Sequence, residues 1–328
     1  MPGVNKEFDL IARIRARAGS REDVVFGIGD DAAILRVPTG HDLVVSTDTL
    51  NVGVHFPVDT APSDIGWKSL AVNLSDLAAM GATPAWCTLN LTLPDADSGW
   101  LDAFLGGFLA LASQYRIALV GGDTTRGPLS ITVTVHGFVP QDAGLRRDGA
   151  QVGDLICVSG TLGNAAGALR QWQQGLVMHA KLRSFLERPT PQIELGLALR
   201  GLATSCIDIS DGLLADLSHV LTASGVGAEI EIVALPMSAI LAAKFDAAER
   251  RELQLGGGDD YELCFTVPPE RAMEVIAATD HANVPYRRIG RIEAQPGLRL
   301  READGTVCLA TPRGYRHFES SGDGVESA

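Results

Sequence analysis

The chain has 328 residues, 46% hydrophobic and 20% charged, with 40 acidic against 27 basic side chains and a formal net charge of −13. That balance suits a well-cored protein of two ordinary domains. It argues against a nucleic-acid partner, whose phosphates need clustered Lys and Arg, because no basic run exceeds a pair such as Arg146-Arg147.

No stretch approaches the ~18 apolar residues of a membrane span, and the N-terminus lacks the apolar core of a signal peptide. Cys87, Cys157, Cys206, Cys264 and Cys308 are widely spaced with no CxxC pair. The reading is therefore a cytoplasmic protein, not bound to membrane, with reduced thiols.

Lys6–Ala18 reads as an amphipathic helix and Val24–Phe26 as a strand. The strand leads into Gly27-Ile28-Gly29-Asp30-Asp31-Ala32-Ala33. Its GxGxxA spacing imitates a dinucleotide fingerprint, but two acids would face the pyrophosphate and no helical pattern follows. Leu43–Ser46 is a strand with Thr47-Asp48 at its end, and His55 follows seven residues later. A helix runs from near Ser63 to a C-terminal cap at Gly81. Within it Ser69, Asn73 and Asp76 form one stripe at i, i+4 and i+7, and a solvated face would be expected to carry Lys or Glu there.

Leu101, Phe104, Leu105, Phe108 and Leu109 give a second helical period with Ser98 as its cap. Ile117–Val120 is a buried strand ending in Gly121-Gly122-Asp123, and Ile131, Val133 and Val135 alternate as a half-buried strand in which His136 is structural. The polar stretch Pro140–Gly153 marks a boundary, giving domains 1–140 and 150–318, and carries Arg146-Arg147 as candidate phosphate clamps. The second half restarts with strand Leu155–Ser159 and a glycine turn, 160–164, that opens a helix and offers its amides to an anion. Asp208-Ile209-Ser210-Asp211-Gly212 precedes the helix Leu213–Ser224, and its Ser-Asp pair echoes Ser75-Asp76 as a distant duplication would. A strand Tyr261–Val267, a short helix Ala272–Ala278 and strands Arg287–Ile292 and Leu298–Arg301 follow, and 319–328 reads as a disordered tail.

Six times, an apolar or glycine run leads directly into a carboxylate: at Asp30-Asp31, Asp48, Asp76, Asp123, Asp208/Asp211 and Asp259-Asp260. Any one such Asp is ordinarily a cap or turn former. Six in one chain favour a set of oxygen ligands for several divalent ions. No Walker A, kinase or EF-hand pattern occurs. Spacing alone leads to a metal-dependent phosphoryl-transfer enzyme, with a divalent-cation-binding oligomer as the non-enzymatic alternative.

The segments GIGDDAA, VVSTDTLNVGVHF, AVNLSDLAAMGATPAW, GGDTTRGPLSITVTVHGFVP, IDISDGLLADL and DDYELCFTV resemble, in this order, the thiamine-monophosphate kinase family. That family belongs to the aminoimidazole-ribotide-synthetase-like (PurM-like) superfamily. Other ATP-using members share the run of acids, although those making selenophosphate carry a reactive Cys near the N-terminus and the first Cys here is Cys87. The resemblance implies an α/β fold of the α+β type with two domains, mixed and antiparallel sheets backed by helices, and a homodimer whose N-terminal sheets pair into a barrel. It implies phosphorylation of thiamine monophosphate by ATP with several Mg²⁺ ions. Residue by residue, it implies metal contacts at Asp31, Ser46, Thr47, Asp48, Asp76, Asp123, Asp208 and Asp211. Nucleotide contacts fall at Gly122, Asp123, Arg147 and Ser210, and substrate contacts at His55, Asp259 and Tyr315. Asp259 stands where the family usually has Glu, so the carboxylate is one methylene shorter. Asp30, beside the matched Asp31, can also serve as a turn residue.

Overall fold

The computed structural model describes residues 6–311 and 314–315; the expected tail at 319–328 lies outside them. In chain order the first half contains α1 (Lys6–Arg17), β1 (Val24–Phe26), β2 (Ile34–Leu35), β3 (His41–Asn51), α2 (Pro62–Ala79), β4 (Thr83–Leu93), α3 (Ser98–Gln114), β5 (Ala118–Arg126) and β6 (Ser130–Pro140). The second half contains β7 (Leu155–Ser159), α4 (Asn164–Gln173), α5 (Ala180–Glu187), α6 (Ile193–Ala198), β8 (Ser205–Asp208), α7 (Leu213–Ser224) and β9 (Gly227–Glu231). It continues with α8 (Ala239–Lys244), α9 (Ala247–Gly256), β10 (Leu263–Val267), α10 (Ala272–Ala282), β11 (Tyr286–Glu293), β12 (Gly297–Arg301) and β13 (Val307–Ala310).

Among the described residues these strands form a four-stranded sheet in the order β3-β6-β4-β5, a seven-stranded sheet in the order β13-β12-β9-β11-β7-β10-β8, and the small β1-β2 hairpin. Both large sheets are mixed. In the first, β3–β6 and β6–β4 are antiparallel while β4–β5 is parallel. In the second, β12 runs parallel to β9 and antiparallel to β13. The α/β architecture of two mixed sheets with helices matches the expectation.

Period-two alternation decides what the first sheet buries. Ile131, Val133 and Val135 of β6 and Leu89 and Leu91 of β4 point at α2 and α3 and are buried. Thr132 and Thr134 point the other way, toward a face where Thr49 Oγ1 meets Thr132 Oγ1 (2.7 Å) and Thr47 Oγ1 donates to Thr134 Oγ1 (2.9 Å). The hairpin covers only one end of that face, through Val24 and Leu35 against Trp86 and Phe138. On the helical side one continuous core extends from Leu91 and Val133 through Leu70, Leu74 and Leu77 of α2 to Cys157, Cys206 and Phe265 of the second sheet. α2 therefore lies between the halves, and a separate core on the second sheet's far face holds α7.

Several sequence expectations are corrected in extent. β3 does not stop at Ser46; it pairs with β6 over its whole length, with Asp48 opposite Val133, so Asp48 lies within a strand rather than at its end. β5 likewise continues through Asp123, paired to Asn90. The cap of α3 is Asp97, which accepts from Gly99 and Trp100 amides, not Ser98. Ser75-Asp76 sits inside a helix, whereas Ser210-Asp211 sits in the loop after β8, so their likeness reflects no shared local structure. Gly81, with φ +62, ends α2 as expected.

Candidate active site

The polar stripe on α2 is not solvated. Ser69 and Asn73 are fully buried. Asn73 Nδ2 donates to Ser69 O (3.0 Å) and its Oδ1 accepts from the Asp48 amide (2.9 Å). That bond fixes β3 against α2 and brings Ser46 and Asp48, on the inward face of β3, opposite Asp76. Ser46 Oγ donates to Asp76 Oδ2 at 2.5 Å.

The second half completes the group from the end of β8. Asp208 is 4% exposed, and its burial together with Asp76, Asp216 and Asp48 pushes its carboxyl up to about 8. Burial, Asp76 and Asp211 push Asp48 up to about 6. Asp76 is also raised, mainly by burial, while Ser46 and the Arg147 guanidinium pull it down. Asp48, Asp76, Asp208 and Asp211, from two strands, a helix and a loop, thus lie close enough to act on one another's ionisation, with the Arg147 guanidinium acting on Asp76. Arg146, its neighbour, is instead held by Asp148 through two bonds of 2.8 and 2.5 Å.

The loop carrying Ser210 and Asp211 is shaped by a residue the sequence reading passed over. Asp216 Oδ2 accepts from the amides of Ser210 (3.1 Å), Asp211 (3.1 Å) and Gly212 (3.0 Å). Gly212 has φ +123, and a Cβ there would lie 2.9 Å from the Gly256 backbone, so only glycine lets the two loops touch. Across that contact, the Asp259 and Tyr261 amides donate to Ser210 O and Ile209 O, each at 2.8 Å. Asp260, expected among the acids, accepts from the Gly163 amide (2.9 and 3.0 Å). It thereby takes the start of α4 that had suggested an anion site.

Asp259 Oδ1 pairs with Lys68 Nζ at 3.0 Å and accepts from Tyr261 Oη at 3.0 Å. His55 Nδ1 accepts from the Asn51 amide (3.0 Å), which leaves the proton of the neutral ring on Nε2. The Tyr315 amide donates to Asp211 O. Tyr315 and Gly256–Gly258 border a cavity of about 720 Å³ that extends toward Leu169 and Leu300.

Not every expected ligand joins the group. Thr47 lies on the opposite face of β3 from Ser46 and Asp48. Asp123 is on β5, with β6 and β4 between it and β3, and its side chain bonds the Thr124 amide at 2.8 Å. Asp31 is exposed in the β1–β2 turn, its amide bound to Asp30 Oδ1 (2.9 Å), which gives Asp30 a turn role. Gly122 has φ +143, and a Cβ would fall 1.9 Å from Leu89 O, so the close β4–β5 contact requires glycine.

Among the described residues no three of His, Cys, Asp or Glu converge tightly enough to enclose an ion alone. The donors are hard oxygens: the raised carboxyls of Asp48, Asp76 and Asp208, with Asp211 among the charges that raise Asp48. That set fits Mg²⁺, which takes one or two carboxylates and keeps waters and substrate phosphates for the rest. Asp48, Asp76, Asp208 and Asp211, with Ser46, would hold such ions, one or two of the carboxylates to each.

Fold and site together define a class of two-sheet α/β proteins with a group of acidic oxygen donors supplied by both halves. The family models for the AIR synthase related protein, N-terminal domain and C-terminal domain, match residues 29–139 and 151–302. The chain is 48% identical to the thiamine-monophosphate kinase of Escherichia coli (strain K12), over 95% of this chain and 98% of that one. The crystal structure of thiamine-monophosphate kinase from Stenotrophomonas maltophilia K279a superposes with TM-score 0.85 at 53% identity, covering 91% of this chain and 96% of that one. AaThiL complexed with AMPPCP and TMP superposes with TM-score 0.76 at 32% identity, covering 95% and 96%. The chain belongs to the AIR synthase related proteins and, within them, to the thiamine-monophosphate kinase family.

Proposed function

We propose that this protein transfers the γ-phosphoryl group of ATP directly to the phosphate of thiamine monophosphate, giving thiamine diphosphate and ADP. The observation that carries the reading is Asp48 and Asp76 held together through Asn73 and Ser46, with Asp208 and Asp211 near enough to act on Asp48, in a chain similar over nearly its full length to thiamine-monophosphate kinases. The relative with AMPPCP and TMP supports the same pair of substrates here.

Mg²⁺ supplies charge neutralisation between two phosphates that would otherwise repel. The protein's own contribution is position. Asp48 and Asp76 are fixed by Asn73 and Ser46, and Asp211 by the Asp216 clamp on its loop. Arg147 offers a guanidinium fork to phosphate oxygens, and Ser210 lies in the same clamped loop. His55, Asp259 and Tyr315 take the thiamine side. The acceptor phosphate has a second pKa of about 6 and is mostly anionic at neutral pH, so no side chain need remove a proton.

The N-terminal segment, 1–140, supplies β3 and α2, and 150–318 completes the site. The active form is a homodimer in which the open faces of the N-terminal sheets pair into a barrel. Leu43 (44% exposed) and Val45 (52% exposed) support this, as apolar residues on a face that no helix among the described residues covers. No helix among the described residues is long and apolar enough to cross a membrane, and buried reduced Cys87, Cys157, Cys206 and Cys264 are in keeping with the cytoplasm.

Incubation with ATP, Mg²⁺ and thiamine monophosphate, followed by product identification, tests the reading. Thiamine diphosphate and ADP in equal amounts are expected. ADP with free phosphate, or nucleotide-independent cation binding without turnover, would overturn it.

A further inference from the structure

Lys68 is a buried charged residue to which the sequence assigns no role. It sits on α2 and is 2% exposed, and its ammonium has two partners. Nζ donates to the carbonyl oxygen of His55 at 2.9 Å and pairs with Asp259 Oδ1 at 3.0 Å. We infer that Lys68 is a positioning residue for the phosphate-acceptor substrate, fastening the His55 segment of the first half to the Asp259 loop of the second. The inference rests on the reading above, in which His55 and Asp259 contact thiamine monophosphate.

A purely structural role explains the residue poorly. Burying an ammonium is costly, and a buried ion pair adds little net stability compared with apolar side chains of similar volume. The place it grips is one that needs gripping. Asp259 and Tyr261 both hold positive φ, +66 and +50, although neither is glycine. Such conformations persist only where the surroundings over-determine them. Here the surroundings are two backbone bonds to Ile209 and Ser210 on one side and Lys68 on the other.

The geometry also divides labour within one carboxylate. Lys68 Nζ and Tyr261 Oη both converge on Oδ1, so Oδ2 is the oxygen with capacity to accept from a ligand N–H. The shorter Asp is thereby held at a fixed reach, set by Lys68 from the opposite half.

The test compares Lys68→Met, Asp259→Asn and the double variant by steady-state kinetics and by calorimetric binding of thiamine monophosphate. Lys68→Met is expected to raise KM and Kd for thiamine monophosphate about tenfold or more, with kcat and the KM for ATP changed less than about threefold. In the Asp259→Asn background the same substitution should add less than about threefold, since its effect passes mainly through Asp259. Should Lys68→Met fail to fold, the double variant carries no unpaired buried charge and gives the second comparison. Unchanged substrate affinity in a folded Lys68→Met enzyme would overturn the inference. So would equal losses for both substrates, or a further tenfold loss in the double variant. A wild-type protein that forms no thiamine diphosphate would overturn the underlying functional reading instead, which this comparison keeps separate.

Discussion

Residue identity decides the site through parity. In the run Ser46-Thr47-Asp48, alternation sends Ser46 and Asp48 toward α2 and Thr47 toward the open face, and the Ser46–Asp76 and Thr47–Thr134 bonds follow from that. The repeated lead of apolar residues into an acid made Asp48, Asp76, Asp208 and Asp211 legible from sequence. It does not show which face Asp48 takes, because the apolar run ends at Ser46 while β3 continues in register with β6 to Asn51. Lys68 and Asp216 were missed for another reason: each resembles an ordinary helical surface residue, although the apolar flank Leu70-Ala71-Val72 after Lys68 was a usable signal. His55 tests the residue-scale account. Its Nδ1 already accepts from the Asn51 amide, so the ring can donate from Nε2 but has no free basic nitrogen in that tautomer. His55→Ala is expected to weaken thiamine monophosphate binding while changing the single-turnover rate at saturation by less than about tenfold, against the ~10²–10⁴ of a lost general base. Rapid-quench measurement of both quantities checks this.

At the scale of elements, the 256–262 segment is organised by its acids, each tied to a different neighbour. Asp259 reaches α2 through Lys68, Asp260 the start of α4, and Glu262 accepts from Ser159 Oγ (2.5 Å) and Gln192 Nε2 (3.0 Å). Burial pushes the Glu262 carboxyl up to about 7, against the opposing pull of Ser159. A carboxyl raised on folding stabilises the protein at pH below its unfolded pKa, and the contribution is lost as pH rises toward the folded value. Glu262 should therefore remove up to ~3 kcal/mol between about pH 4.5 and 7. Glu262→Gln is expected to gain stability relative to wild type as pH rises from 5 to 8, read by urea unfolding at each pH. A pH-independent difference would mean the carboxyl is not enclosed. The Asp216 clamp is the second element-scale device. Asp216→Ala strands three loop amides, and a stability loss of about 1–3 kcal/mol with a fall in kcat is expected. Asp216→Asn, which keeps an acceptor oxygen, should lose less of both.

The whole molecule joins two sheets through one helix. Because α2 shares its core with both halves, the carboxylates of β3, α2 and the loop after β8 are held as one body. That union was invisible in a sequence whose boundary at 140–153 suggested separate units. Long apolar periods had marked α2, α3 and α7. Short elements such as α5, α6 and α8 carry too few turns to announce themselves. The exposed face of the first sheet gives a further expectation: Val45→Arg should yield monomers of low activity, seen by size-exclusion chromatography with light scattering. The claim on which the rest depends is that several divalent ions act together between the two phosphates. It is met most directly by initial rate against free Mg²⁺ at saturating ATP and thiamine monophosphate. A log–log slope clearly above one, once ATP is fully in its Mg²⁺ complex, is the expected result. A rate already saturated when the nucleotide complex is saturated would contradict it.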